Sequence, residues 1–126
     1  MLERKLQFVL MVAVFCLLSS KVNAEWDWSD TAVESMYFAA HITDWGQTRD
    51  IARQCGEGLY AETNPIIGRC PSIGRVNTYF FATALLHAGI ATILPKKYRR
   101  MFQVGTLGMQ IAYISNNANI GLKVSF

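Results

Sequence analysis

Residues 76–94 contain no Asp, Glu, Lys or Arg over 19 positions, and Pro95-Lys96-Lys97-Tyr98-Arg99-Arg100 follows at once. About 20 predominantly apolar residues make a membrane-spanning helix. A compact basic block beside such a run marks the cytoplasmic side, because short basic segments resist translocation. Residues 101–114 are again apolar apart from Gln103, Thr106 and Gln110, and they reach spanning length if the run continues through Asn116 and Asn117 to residue 122. The two runs together predict a transmembrane helical hairpin that turns at the basic block. Ala84, Ala88 and Thr92 on one arm, with Gly105 and Gly108 on the other, are small residues of the kind that let helices approach closely in lipid.

The chain begins with Arg4 and Lys5, an apolar core over residues 6–18, and Val22-Asn23-Ala24. Basic start, apolar run and small–x–small end are the pattern of a secretory signal peptide. Cleavage after Ala24 leaves residues 25–126 as one small domain, and an uncleaved anchor gives the hairpin the same orientation. Losing Glu3, Arg4, Lys5 and Lys21 lowers the formal net charge of the 126-residue chain from +3 to +1. A nucleic-acid partner is therefore not expected. Charged residues are 17% of the chain, against about 25% in average soluble proteins, which fits lipid exposure. Cys55 and Cys70 enclose Gly56, Gly58, Asn64, Pro65 and Gly68. In an oxidising compartment they are expected to form a disulfide, and closing a loop of about 15 residues contributes about 3 kcal/mol.

A first helix is expected from Asp30 or Thr31 to about Gln54, with Thr31 and Glu34 as a capping box. Glu34, Tyr37, His41, Asp44 and Thr48 recur at helical spacing and share one face, so the helix is amphipathic. It either lies on the membrane surface or packs with that stripe inward. Residues 55–75 read as a structured loop, with Ser72 capping the next helix. The whole is an all-α protein of the bacterial inner membrane, with residues 25–75 facing the periplasm and the basic turn in the cytoplasm. A competing pattern is the alternation of Ile120, Leu122, Val124 and Phe126, which is that of a last strand in a small outer-membrane barrel.

The candidate polar site comprises His41, Asp44 and Thr48 on the first helix, Glu62 and Asn64 in the loop, and His87 in the apolar run. His41, Asp44, Glu62 and His87 together compose an alternative reading as a membrane-embedded enzyme or metal-binding protein. Ser35 or Thr48 beside His41 as base is the corresponding nucleophile arrangement. The sequence has no C-x2-C pair, no G-x-S-x-G, no H-E-x-x-H and no phosphate-binding glycine pattern. Accordingly no catalytic residue, metal or cofactor is assigned. Asn77 and His87 fall on one face of the apolar run and need polar partners there; Gln103 and Gln110 are the expected ones. Glu62-Thr63-Asn64-Pro65 predicts a tight turn, with Glu62 accepting amide hydrogen bonds that fix it.

The ordered set Asp44-Trp45-Gly46-Gln47-Thr48-Arg49, Glu62-Thr63-Asn64-Pro65, Pro71-Ser72 and Val76-Asn77-Thr78-Tyr79-Phe80 resembles small uncharacterised membrane proteins of bacteria and their phages or prophages. The resemblance implies a short exported or membrane-embedded helical protein and carries no catalytic role. The expected function is then non-enzymatic and exercised in the cell envelope, with membrane lipid, a protein partner or a second copy of the chain as partner.

Overall fold

The computed structural model describes residues 26–126; the expected signal segment, residues 1–24, lies outside them. Three helices account for most of the chain: α1 (Trp28–Gln54), α2 (Ile73–Ile93) and α3 (Lys96–Asn119), with a short 3-10 turn at Cys55–Glu57. No strand occurs among the described residues.

α1 starts earlier than its sequence suggests. Asp27 is the N-cap: its side chain accepts from the Asp30 amide at 3.0 Å, and the Asp30 side chain accepts from the Asp27 amide at 3.2 Å. That reciprocal pair satisfies two amides that have no partner inside the helix. The expected cap residues do other work. Thr31 accepts from the Trp26 indole N–H at 2.9 Å, and Glu34 points into the bundle. α2 begins three residues before the uncharged run, at the Ser72 cap. It stops before Leu94, whose backbone is extended, as a residue preceding proline prefers. Leu94 and Pro95 make the whole connection to α3. The basic block is thus not a turn but the first turn of α3. Cations there oppose the helix dipole, and carboxylates from the start of α1 offset them. Lys96 lies 2.6 Å from Asp27, and Arg100 lies 2.8 Å from Asp30. The Lys96 ammonium holds the Asp27 carboxyl well below the usual carboxylate range.

α1 and α3 run parallel and α2 runs antiparallel to both. Their seam is polar. On α1 it consists of Asp30, Glu34, Tyr37, His41, Asp44 and Thr48; on α3 of Arg99, Gln103, Thr106, Gln110, Tyr113 and Asn117. Each series advances by alternate steps of four and three, the spacing of a coiled-coil seam, here filled with polar side chains instead of apolar ones. Arg99 Nη1 donates to Asp30 at 3.1 Å, Gln103 to Glu34 at 2.9 Å, and Gln110 to His41 at 3.0 Å, each pair 69 residues apart. Asn117 donates to Asp44 at 3.2 Å. The Asp30–Arg99 pair is fully buried. Arg99 also donates to the backbone oxygens of Ala91 and Leu94 at 2.8 and 3.0 Å, which ties the end of α2 to the pair.

Several expectations change with this arrangement. α1 packs against both other helices, while α2 and α3 touch little, so they do not form a close-packed hairpin. A Cβ at Gly105 or Gly108 would meet nothing within 4 Å, so neither glycine serves close helix packing. Of the two expected spans, α2 alone among the described helices is long and apolar enough to cross a membrane, with a mean hydropathy of 1.3. The seam residues lower the hydropathy of α3. Because Asp27 touches Lys96, the start of α1 lies at the same end of the bundle as the basic block. Residues 25–75 therefore cannot all lie across a membrane from that block.

The alternating C-terminal segment is not part of a sheet. It turns back at Gly121 (φ 93°) and crosses α1. The Ser125 amide donates to the Gly46 oxygen at 3.2 Å, Arg49 Nε donates to the Ser125 oxygen at 3.2 Å, and the Lys123 amide donates to Asp50 at 2.9 Å. Leu122 is buried. Close approach requires glycine at position 46, where a Cβ would sit 2.4 Å from Val124 Cγ1 and 3.0 Å from the Phe126 ring.

Two predictions arise here. Asp30→Asn or Arg99→Met breaks the buried ion pair and lowers stability by about 3–5 kcal/mol, whereas the double change Asp30→Leu with Arg99→Leu costs distinctly less; thermal unfolding in a neutral detergent measures the difference. Gly46→Ala dislodges residues 124–126 and costs about 1–3 kcal/mol. Earlier cleavage of the C-terminal segment in limited proteolysis reports it, and Val124→Ala partly restores protection.

Candidate functional site

The seam widens toward the cysteine-loop end of the bundle, where the separated α2 and α3 leave a cavity of about 560 Å³. Its back wall is α1, with Tyr37, His41, Asp44 and Thr48. Residues 62–65 and 67 of the loop bound it, Tyr79, Phe80 and Thr83 of α2 form one side, and α3 supplies the other from Thr106 to Asn117. Met109 and Tyr113, both lining residues, are more than half exposed.

The loop is shaped by its own polar groups. Glu62 Oε1 accepts from the amides of Thr63 and Asn64 at 2.9 and 2.8 Å, as the Glu-Thr-Asn-Pro string suggests. Asn64 Oδ1 accepts from the Ile66 amide at 3.0 Å, an Asx turn across Pro65. The Gly68 amide closes onto the Asn64 oxygen at 3.1 Å, with Gly68 in the left-handed region at φ 84°. Ile67 is buried and anchors the loop. Cys55 and Cys70 form a disulfide across its base, with Cα atoms 5.6 Å apart, within the normal range for such a bridge.

Five of the six candidate site residues line this cavity: His41, Asp44, Thr48, Glu62 and Asn64. His87 does not. Its Nδ1 donates to Glu34 Oε1 at 3.0 Å and its Nε2 pairs with the Thr106 hydroxyl at 2.8 Å, so its partners are not the expected Gln103 or Gln110. Tyr37 separates the two histidines, with its ring 3.4 Å from that of His87 and 5.4 Å from that of His41. Asn77 accepts instead from Trp45 Nε1 at 3.0 Å and Arg49 Nη1 at 2.6 Å. Among the described residues no group of three or more His, Cys, Asp or Glu is placed to hold a metal ion. The imagined quartet of His41, Asp44, Glu62 and His87 does not converge.

His41 has both ring nitrogens engaged. Its Nε2 lies 3.0 Å from the Phe80 oxygen, which can only accept, so the proton sits on Nε2. Nδ1 then accepts from Gln110 Nε2 at 3.0 Å. That fixes the tautomer and leaves no free nitrogen to act as a base toward a hydroxyl. Ser35 is exposed and donates to the Thr31 oxygen at 2.8 Å, on the opposite face of α1.

Thr48 and Asp44 are different. Thr43, Thr78, Thr83, Thr92 and Thr106 each donate to a backbone oxygen four residues back, at 2.7–3.0 Å. Thr48, only 3% exposed, makes no hydrogen bond among the described residues. One oxygen of Asp44 is held by Asn117, and the other has no protein partner among those residues.

Of the α2 and α3 contributors, Thr83 and Tyr113 belong to no motif in the sequence. The four-and-three spacing that starts at Arg99 is the one signal that marks the α3 residues. Opening the loop should weaken the cavity wall: Cys70→Ser is expected to lower stability by about 3 kcal/mol, and reductant should reproduce the loss in the wild-type protein but not in the variant. No family model matches the chain, and no curated protein and no solved structure is significantly similar to it.

Proposed function

We infer that the chain is a small non-enzymatic protein embedded in the bacterial inner membrane, whose cavity holds the polar part of a molecule presented from the lipid or by a partner protein. The observation that carries this reading is the inverted distribution of side chains. Asp30, Glu34, His41, Asp44, His87 and Arg99 are all less than a tenth exposed, while Phe81, Leu86, Met101, Met109 and Ile111 are 47–65% exposed. A large exposed apolar surface is unfavourable in water and marks contact with lipid or protein. Polar groups gathered inside a bundle and bonded mostly to one another are the arrangement that hydrocarbon surroundings favour. On this reading α2 crosses the membrane, with α1 and α3 packed beside it. α1 and α3 turn their polar stripes toward each other and apolar residues such as Met36, Ile42, Val104 and Ile111 outward.

The disulfide loop belongs on the oxidising side, and the basic first turn of α3 on the cytoplasmic side. Both preferences are met by one orientation, with the cysteine loop and the cavity mouth in the periplasm. That orientation carries Asp27 to the cytoplasmic side with Lys96, and so is at odds with cleavage after Ala24 by a peptidase on the outer side. The resemblance to phage and prophage proteins points to a role at the host envelope.

Cysteine mapping tests the reading. In a Cys16→Ser background, Ser72→Cys is expected to react with a membrane-impermeant maleimide in intact cells, and Tyr98→Cys only after permeabilisation. Reaction at position 98 in intact cells overturns the orientation. Release of the protein by alkaline carbonate overturns the membrane reading.

A further inference from the structure

The geometry points to an ammonium group, carried by a membrane-borne amphiphile, as the ligand of the cavity, bound by Asp44 and Thr48. This rests on the reading of the bundle as embedded in lipid and names the chemistry of its site. Three buried acids lie along the α1 seam. Asp30 is paired with Arg99 and Arg100, and Glu34 with His87. Asp44, 8% exposed, has only the neutral amide of Asn117. A buried carboxylate without a counter-charge is costly, and inside a membrane protein such a group marks a functional site. Thr48 stands one helical turn further on, on the same cavity wall, and its hydroxyl makes no hydrogen bond among the described residues.

The rest of the lining fits the same ligand. Glu62 adds a second carboxylate at the loop, and no Lys or Arg lines the cavity among the described residues. An anionic head group would face two carboxylates with nothing to offset them. Tyr37, Tyr79, Phe80 and Tyr113 surround the space with aromatic rings, which attract a desolvated cation by their ring faces. An ammonium carries three N–H donors, and the free oxygens of Asp44 and Thr48 are acceptors one turn apart. Met109 and Tyr113, exposed at the rim between the weakly touching α2 and α3, give an apolar tail a route toward lipid.

The test is isothermal titration of the purified full-length protein in a neutral maltoside detergent with dodecylamine, dodecanol and dodecyl sulfate. Dodecylamine is expected to bind and the other two not. Asp44→Asn should weaken dodecylamine binding by about tenfold to a hundredfold, and Thr48→Val by about fivefold. Both variants should keep the helical circular dichroism of the wild type. Equal binding of dodecanol or dodecyl sulfate, or unchanged binding by both variants, overturns the ammonium assignment and leaves the membrane reading standing. Binding of none of the three overturns the cavity's role as well. Mass spectrometry of lipid retained by the protein identifies the source. Enrichment of phosphatidylethanolamine over phosphatidylglycerol that is lost in Asp44→Asn assigns the ammonium to a lipid head group. Equal retention of the two lipids, with dodecylamine bound, assigns it to a free amphiphilic amine.

Discussion

The buried contact between Asp30 and Arg99 sets the terms for the rest of the molecule. Neither side chain reaches solvent, and removing two charges from water costs several kcal/mol each. Their presence inside the bundle is sustained by a dense set of further bonds. Asp30 serves the α1 cap and accepts from Arg100, while Arg99 is held by two backbone oxygens at the end of α2 and packs over the Trp26 ring at 4.8 Å. One pair thus joins the starts of α1 and α3 to the end of α2. From it the polar seam runs along the bundle in a single register, and the cavity opens where that seam ceases to be filled by protein.

The same register separates structural polar residues from available ones. Glu34, Gln103, His87 and Thr106 bond to one another close to the ion pair. His41 and Gln110 continue the pattern beside the cavity. Beyond them, Asp44 and Thr48 keep acceptor oxygens that the protein leaves open. The buried oxygens of Gln47, Gln103 and Gln110 also have no partner among the described residues; what sets Asp44 apart is a carboxylate on the cavity wall with only a neutral amide beside it. Two histidines and two carboxylates do not make a metal centre, since Tyr37 is stacked between the imidazoles.

Much of the architecture is legible in the sequence through local chemistry. The uncharged run, Ser72, the residue before Pro95 and the proline itself delimit α2 closely. The α1 stripe from Glu34 to Thr48 is visible as one face, and the Glu62–Pro65 turn follows from its residue types. What escapes is non-local. Asp27 competes with Thr31 as the cap and wins because Asp30, its reciprocal partner, is also fixed by the cations of α3. The alternation of residues 120–126 is that of a strand, yet Gly46 offers a helix surface against which the segment lies without a sheet. The α3 half of the seam is hidden by its mixed chemistry, since Arg, Gln, Thr, Tyr and Asn share no hydropathy class. Only their spacing relates them.

The parallel pairing of α1 with α3 has a consequence for how the chain is made. The partners of Asp30, Glu34 and His41 on α3 each lie 69 residues downstream. While α1 emerges from the ribosome, its acids have no cations to meet, and the later-arriving α2 supplies only His87. α1 by itself keeps its buried acids without their α3 partners until Arg99 and Gln103 have been synthesised. Assembly is therefore gated by the last helix, and a chain interrupted before α3 carries an exposed acidic stripe that marks it as unfinished.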